Sequence, residues 1–332
     1  MAVRDGESYL DEAMRSVLGQ TFTDFECIVV DDGSKDGTDV ILDRYQRQDS
    51  RICLSRSDGN GLSHALNYGL KLARGTYVAR MDADDVSLAG RLAAQVQLME
   101  ARPEVGVCGT WIKTFGMGLG EVRRYPTDDA TIRSWLLFES VLAHPSVMIR
   151  RDLFASAGLV YDTAMLHAED YDLWVRASQH TQLANVPEVL VRYRLHQQQV
   201  VRRHEATKRD TARRIRRCQI ERLGIAPTAD EESLHEAISG WVFADSREFV
   251  TAAHAWLLKL TDANATKGVY PHAPFQHTVA DRWWAICSAS THLGLWIFAA
   301  LRRSPLWGDT KLSWKQQVKF GLNCAIRKSQ HG

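Results

Sequence analysis

The chain predicts an α/β fold, a mostly parallel sheet flanked by helices, with a helical C-terminal extension. Three observations carry this expectation. Short apolar runs alternate with amphipathic helical patterns as far as Gly109. The acidic clusters Asp31-Asp32 and Asp82-Ala83-Asp84-Asp85 each end one of those runs. Beyond about Gln199 the pattern is largely helical. Strands alternating with helices of this length imply parallel βαβ units, which present functional groups at the carboxyl ends of the strands.

The elements follow in order. Glu7 to Gly19 carries Leu10, Ala13, Met14, Val17 and Leu18 on one helical face. Phe25 to Val30 is a short apolar strand closed by Asp31-Asp32-Gly33-Ser34, and Asp39 to Arg47 is the helix after it. Arg51 to Leu54 reads as a strand, Leu62 to Ala73 as a helix and Thr76 to Met81 as the next strand. In a parallel sheet both acidic clusters would face one crevice. Arg91 to Ala101 is helix-like, with Asp85 a candidate N-cap ahead of it. From Val105 to Tyr193 the pattern is mixed, with strands at Val105–Cys108 and Val147–Ile149 and a helix over Asp170–His180.

At 332 residues the length suggests about two domains, and 45% hydrophobic with 24% charged residues is ordinary for a globular protein. A formal net charge of +1 gives no pull toward nucleic acid, so none is expected as a partner. Basic residues nevertheless cluster, from Arg202 to Arg222 and again from Arg302 to the end. Such runs are commonly solvated helix faces, and beside apolar helices they also suit anionic lipid. The six cysteines lack any Cys-x-x-Cys pair, which predicts reduced thiols in a cytoplasm and neither a disulfide scaffold nor a zinc site.

Asp82-Ala83-Asp84-Asp85 is the most informative stretch. Carboxylates packed this closely repel, and an Asp-x-Asp turn offers two hard oxygen ligands suited to Mg²⁺ or Mn²⁺ shared with phosphates. A solvated acidic turn is the alternative.

Read together, the motifs resemble the family 2 glycosyltransferases. They are Met1–Glu7, Ser16–Phe22, Val29–Thr38, Ala65–Leu70, Ala79–Asp85 with Arg91-Leu92, His144–Val147, Ala168–Trp174 and Tyr193–His196. The resemblance covers roughly residues 1–200 and implies a GT-A domain. Its nucleotide-sugar-binding half would be 1–109 and its acceptor-binding half 110–200, with 201–332 a helical region able to associate with membrane. It implies an inverting enzyme that moves one sugar from a nucleotide-sugar, foremost a UDP-sugar, to a glycan or lipid-linked acceptor in surface-glycan synthesis. The cofactor would be Mn²⁺ or Mg²⁺. Val3, Asp32, Arg56 and Asp82 would bind the donor, Asp84 with Asp82 and His196 the metal, and Asp170 would be the general base. Glu169, His144 and Trp174 would lie on the acceptor side, where Trp174 could stack on a sugar face, although a core position is the better expectation for it.

The chain departs from the family pattern in places. The full apolar strand expected ahead of Ala2-Val3 is missing, which leads to the expectation that the native start lies upstream of Met1 or that this chain is a truncated form. Ala2, Arg4 and Asp5 stand where the commonest pattern has Pro, Tyr and Asn. The Gln-x-x-Arg-Trp of processive synthases is reduced to Gln199-Val200-Val201-Arg202 followed by Arg203, which predicts single-sugar transfer. Trp283 to Leu301 holds no acid, lysine or arginine, yet Ser288, Ser290, Thr291 and His292 make it too polar for a span. With Trp283, Trp284, Trp296, Trp307 and Trp314 beside the basic block, the tail 283–332 suits either an interfacial helix pair at the cytoplasmic face of the inner membrane or a buried helix packed on the catalytic domain. Two other functions compete, a catalytically silent sugar-nucleotide-binding protein and a nucleotidyltransferase. The latter would need a Gly-rich phosphate loop after the first strand, and none is seen.

Overall fold

The computed structural model describes residues 1–118, 120–196, 204–310 and 312–326. The Gln199–Arg203 motif, Lys311, Arg327 and Lys328 lie outside them. The chain forms two units, Met1–Ile132 with Ser140–Ala212, and Arg133–Glu139 with Arg213–Gly332. Residues 133–139 group with the C-terminal helices.

The first unit opens with β1 (Ala2–Val3), α1 (Leu10–Leu18), β2 (Cys27–Asp31), α2 (Thr38–Gln48) and β3 (Ile52–Arg56). β1, β2 and β3 are parallel, as the alternation predicts. Leu10 and Met14 of α1, Leu42 and Tyr45 of α2, and Val29 and Ile52 of the strands form their shared core. The chain continues through α3 (Leu62–Leu72), β4 (Tyr77–Ala79), β5 (Val86–Ser87), α4 (Arg91–Ala101), β6 (Val105–Gly116), β7 (Val122–Arg123) and α5 (Asp129–Leu136), of which the residues from Arg133 on belong to the second unit. β8 (Met148–Arg150), α6 (Arg151–Ser156), α7 (Glu169–Ala177) and β9 (Gln182–Leu195) complete it.

The second sheet has the order β4-β8-β6-β9-β5, with β7 beside β6. Only β6 and β9 run parallel there, and the other pairs are antiparallel. The expectation of a mostly parallel sheet therefore holds for the first sheet alone. Apolar runs carry no mark of direction, and antiparallel neighbours need no helical crossover.

Between the sheets is a slot. β1 covers β2 only opposite Val30 and Asp31, and it reaches the other sheet through a single parallel bridge, Ala2 to Asp82. Before Met1, the edges of β2 and β4 border a cavity of about 810 Å³ lined by Cys27, Ile28, Leu66, Leu70, Val78 and Val96, among others. The Met1 amino group donates to the Ile28 carbonyl at 2.7 Å, where a strand amide would sit, and burial lowers its pKa.

The second unit holds most of α8 (Glu205–Arg222), then α9 (Ala229–Ser239), α10 (Arg247–Lys267), α11 (His272–Ala289), α12 (Leu295–Arg303) and α13 (Trp314–Ile326). Thr228 and Glu231 form a capping box on α9, Ser246 caps α10, and Gly268 at φ 63° ends it. The core includes Leu257, Phe275, Trp283, Ile286 and Leu301. Within 283–301, Trp283, Ile286, Cys287, Ile297 and Leu301 are buried in the unit, while Leu295 and Phe298 are exposed. Arg282 is buried too, stacked over Trp135, Phe138 and Trp241 and paired with Glu139. All six cysteines are free. Among the described residues no helix is long and apolar enough to cross a membrane.

Candidate active site

The acidic turn is fixed from behind by α4. Arg91, fully buried, donates to the carbonyls of Arg80 (2.7 Å) and Val147 (3.2 Å), and Gln95 donates to those of Cys108 and Ser146. Burial lowers the Arg91 pKa, and its donors are met by carbonyls where a carboxylate would be usual.

On this support Asp82, Asp84 and Asp85 bring one carboxylate oxygen each within 4.8 Å of one another. Arg80 pairs with Asp82 at 2.5 Å. Burial raises the Asp82 pKa against the pull of Arg80. Burial, then Asp82 and Asp84, push Asp85 up to about 9. Asp85 Oδ1 accepts the Arg194 amide at 2.7 Å, while Oδ2 is buried without a partner. Asp85 is therefore no helix cap, and the N-cap position of α4 is Gly90. From β9, His196 places Nε2 3.0 Å from Asp84 Oδ2, with its ring against Tyr9 and its Nδ1 buried and unpartnered. Hard oxygens, an imidazole nitrogen and an orphaned acceptor, gathered where like charges repel, fit a divalent cation such as Mg²⁺ or Mn²⁺.

Asp31 and Asp32 differ in kind. Asp31 Oδ1 accepts both the amide and the hydroxyl of Ser34, a turn-closing contact. Asp32, also buried, accepts the Ser57 hydroxyl at 2.5 Å and the Gly61 amide at 2.9 Å, and its own amide bonds the Val3 carbonyl. Each Asp32 oxygen keeps a further lone pair for an incoming N–H. The Val3 side chain lies in the core, so only its backbone borders this crevice. Arg56, opposite Asp31 in register, is exposed.

Glu169 and Asp170 open α7, where the helix dipole favours acids. Burial and then Asp170 push Glu169 up to about 7. Burial also raises Asp170, opposed first by Lys208 and then by the Tyr171 amide bound to its Oδ1 at 2.8 Å. The Arg80 charge acts on Asp82, Glu169, Asp170 and Tyr161 alike, and Asp170 in turn acts on Asp82. The acids at the end of β4 and at the start of α7 thus share one field. His144, held neutral by burial, bonds the Tyr161 hydroxyl at 3.0 Å, while the Tyr161 backbone is clamped twice by Asn67. Trp174 is 0% exposed and in a T-shaped contact with His144, which is the core position rather than a sugar-facing one.

Residues 1–158 match the family model described as glycosyl transferase family 2. WbnJ, an O-antigen biosynthesis glycosyltransferase of Escherichia coli, is 33% identical over 205 residues, covering 59% of this chain and 78% of its own length. The chain belongs to glycosyl transferase family 2. TarS 1-349 of S. aureus, solved with UDP-GlcNAc, resembles this glycosyltransferase with a TM-score of 0.57 at 17% identity, over 99% of this chain and 90% of its own. The mannosyltransferase PcManGT of Pyrobaculum calidifontis, solved with GDP-Man and Mn²⁺, gives 0.55 at 18% identity, over 100% and 86%. At these identities the likeness establishes the GT-A fold.

Sequence reasoning missed several residues of this family 2 glycosyltransferase site. Ser57 and Gly61 orient Asp32, Asn67 and Tyr161 support His144, and Arg80 and Arg194 grip the acid cluster. Arg80 alone carried a local signal, a cation ending an apolar strand beside Asp-x-Asp. The others are joined by chain reversal, with no spacing to betray them. The raised Glu169 pKa also yields a stability prediction. A neutral Glu169 suits the fold, so its contribution is complete below the unfolded value near 4.5 and lost as pH rises through about 7. Glu169→Gln should therefore be more stable than wild type at pH 8, by roughly 2 kcal/mol, with the two converging near pH 4. Calorimetry at both pH values checks this, and parallel pH profiles would refute it.

Proposed function

We propose that the enzyme transfers a single sugar, with inversion, from a nucleotide-sugar, foremost a UDP-sugar, to a hydroxyl of a glycan or lipid-linked acceptor. The setting proposed is surface-polysaccharide synthesis at the cytoplasmic face of the membrane. One observation carries the reading, namely that Asp82, Asp84 and Asp85 bring one carboxylate oxygen each within 4.8 Å of one another, with His196 Nε2 3.0 Å from Asp84. The O-antigen role in WbnJ's name supports the setting, and UDP-GlcNAc and GDP-Man in the two structures support the donor class.

Asp32 accepts an N–H of the nucleobase with the lone pairs that Ser57 and Gly61 leave free. Asp170 takes the proton of the acceptor hydroxyl as its oxygen attacks the anomeric carbon, and the bond from that carbon to the diphosphate oxygen breaks on the opposite face. Asp82, Asp84, Asp85 and His196 would hold Mn²⁺ or Mg²⁺, whose bound charge offsets that developing on the departing diphosphate. Arg80 favours the ionised form of Asp82. His144 and Tyr161 line the acceptor side.

A thermal-shift screen of UDP- and GDP-sugars with Mn²⁺ identifies the donor. With that donor, Asp84→Ala should lower metal-dependent turnover by roughly a hundredfold or more. Unchanged Mn²⁺-dependent turnover in this variant would remove the acid cluster from the mechanism.

A further inference from the structure

The C-terminal helix α13 buries only Phe320 and Cys324, with Phe320 packed on Trp284 and Phe298. Its other apolar residues face outward, Trp314 being 69% exposed, Val318 51%, Leu322 56% and Ile326 59%. They recur every fourth residue, so each step advances about 40° and the set forms one oblique stripe along some 20 Å of helix. Leu295 and Phe298 of α12 are exposed as well. Between α12 and α13 lies a cavity of about 420 Å³ lined by Trp284, Phe298, Leu301, Val318 and Leu322, with Arg302 also in its wall.

Charge selects the occupant. Neither α12 nor α13 contains an acid. Arg302, Arg303, Lys315 and Lys319 are exposed, and over 295–326 the one acid is Asp309. An apolar stripe with a tryptophan at one end and cations beside it is the composition of a helix lying in the plane of an anionic bilayer, ring and aliphatic groups among the acyl chains and ammonium groups at the phosphates. We propose that the α12–α13 face is a membrane-docking surface for anionic lipid. The apolar cavity between the helices receives an acyl chain, and Arg302 meets its phosphate. The proposal rests on the membrane-side location proposed above. Within the expected stretch 283–332 it narrows that contact to the exposed residues of 295–326, since Trp283, Ile286 and Cys287 are buried.

Co-sedimentation of the full chain with phosphatidylcholine vesicles, with and without phosphatidylglycerol, tests it. Partition should require phosphatidylglycerol and weaken as salt is added. Trp314→Ser with Leu322→Ser should weaken it about a hundredfold, and Lys315→Gln with Lys319→Gln about tenfold. Both variants should keep wild-type circular dichroism and donor hydrolysis. Donor hydrolysis reports the glycosyltransferase chemistry separately, so loss of vesicle binding and loss of that chemistry are distinguishable. Failure to bind anionic vesicles, equal binding by all variants, or an apolar stripe buried in a dimer that Trp314→Ser dissolves would each overturn the proposal.

Discussion

Asp170→Asn should bind the nucleotide-sugar as wild type does and transfer its sugar about a thousandfold more slowly, within the range general-base removal produces. Asparagine keeps the shape of the side chain and the oxygen that accepts the Tyr171 amide, so the start of α7 is preserved. It cannot take a proton. Burial raises the Asp170 pKa while Lys208 and the Tyr171 amide restrain it, leaving a carboxylate more basic than usual. The wild-type rate should accordingly fall on acidification at a pH above the ordinary carboxylate range. Titration calorimetry with donor and Mn²⁺ reports binding, and single-turnover transfer reports chemistry. Wild-type transfer by the variant would take the base assignment away from Asp170.

A five-residue apolar extension ahead of Met1 should raise the melting temperature by about 10–20 °C. The ladder is already begun. Met1 donates to Ile28 and accepts from Val30, and the pairings Ala2 to Val30 and Ala2 to Asp82 set the register on both sides. Stepping back from Ala2, added residues would lie between Ile28 and Arg80, then Cys27 and Ala79, inside the cavity of about 810 Å³. Each would bury a side chain worth about 2 kcal/mol and make hydrogen bonds worth about 1, against a backbone ordering cost of about 2. The net is about 5 kcal/mol for the segment, and each kcal/mol moves a unit of this size by roughly 2–4 °C. Converting the buried amine to an amide removes a desolvated charge as well. Calorimetry of a Val/Ile extension against a Gly/Ser extension of equal length is the measurement, and equal melting temperatures would show that the slot does not accept a strand.

The reading of single elements succeeded where side-chain periodicity is enforced by a neighbouring core. Leu10, Ala13 and Met14 had to share one face of α1, and Cys27 to Val30, buried on a parallel strand, had to be apolar. It failed over β9, where Arg192 and Arg194 interrupt the pattern yet are held by stacking on Phe115 and, for Arg194, on Tyr9. It failed again at Asp85, whose partner on Arg194 is more than a hundred residues away and pairs only once β9 lies beside β5.

The sequence by itself determined the family, the α/β alternation and the three acidic positions Asp32, Asp82-Asp84 and Glu169-Asp170, because motif chemistry and helix or strand periods are local properties of the chain. Only the tertiary structure decided that Asp85 joins the cluster, that Arg80 links it to Asp170, that Trp174, Trp283, Ile286 and Cys287 are interior, and that the apolar stripe left exposed is the one on α13. Those outcomes depend on which distant segments exclude water from a side chain, and burial and electrostatic fields are set by packing in space rather than by order along the chain.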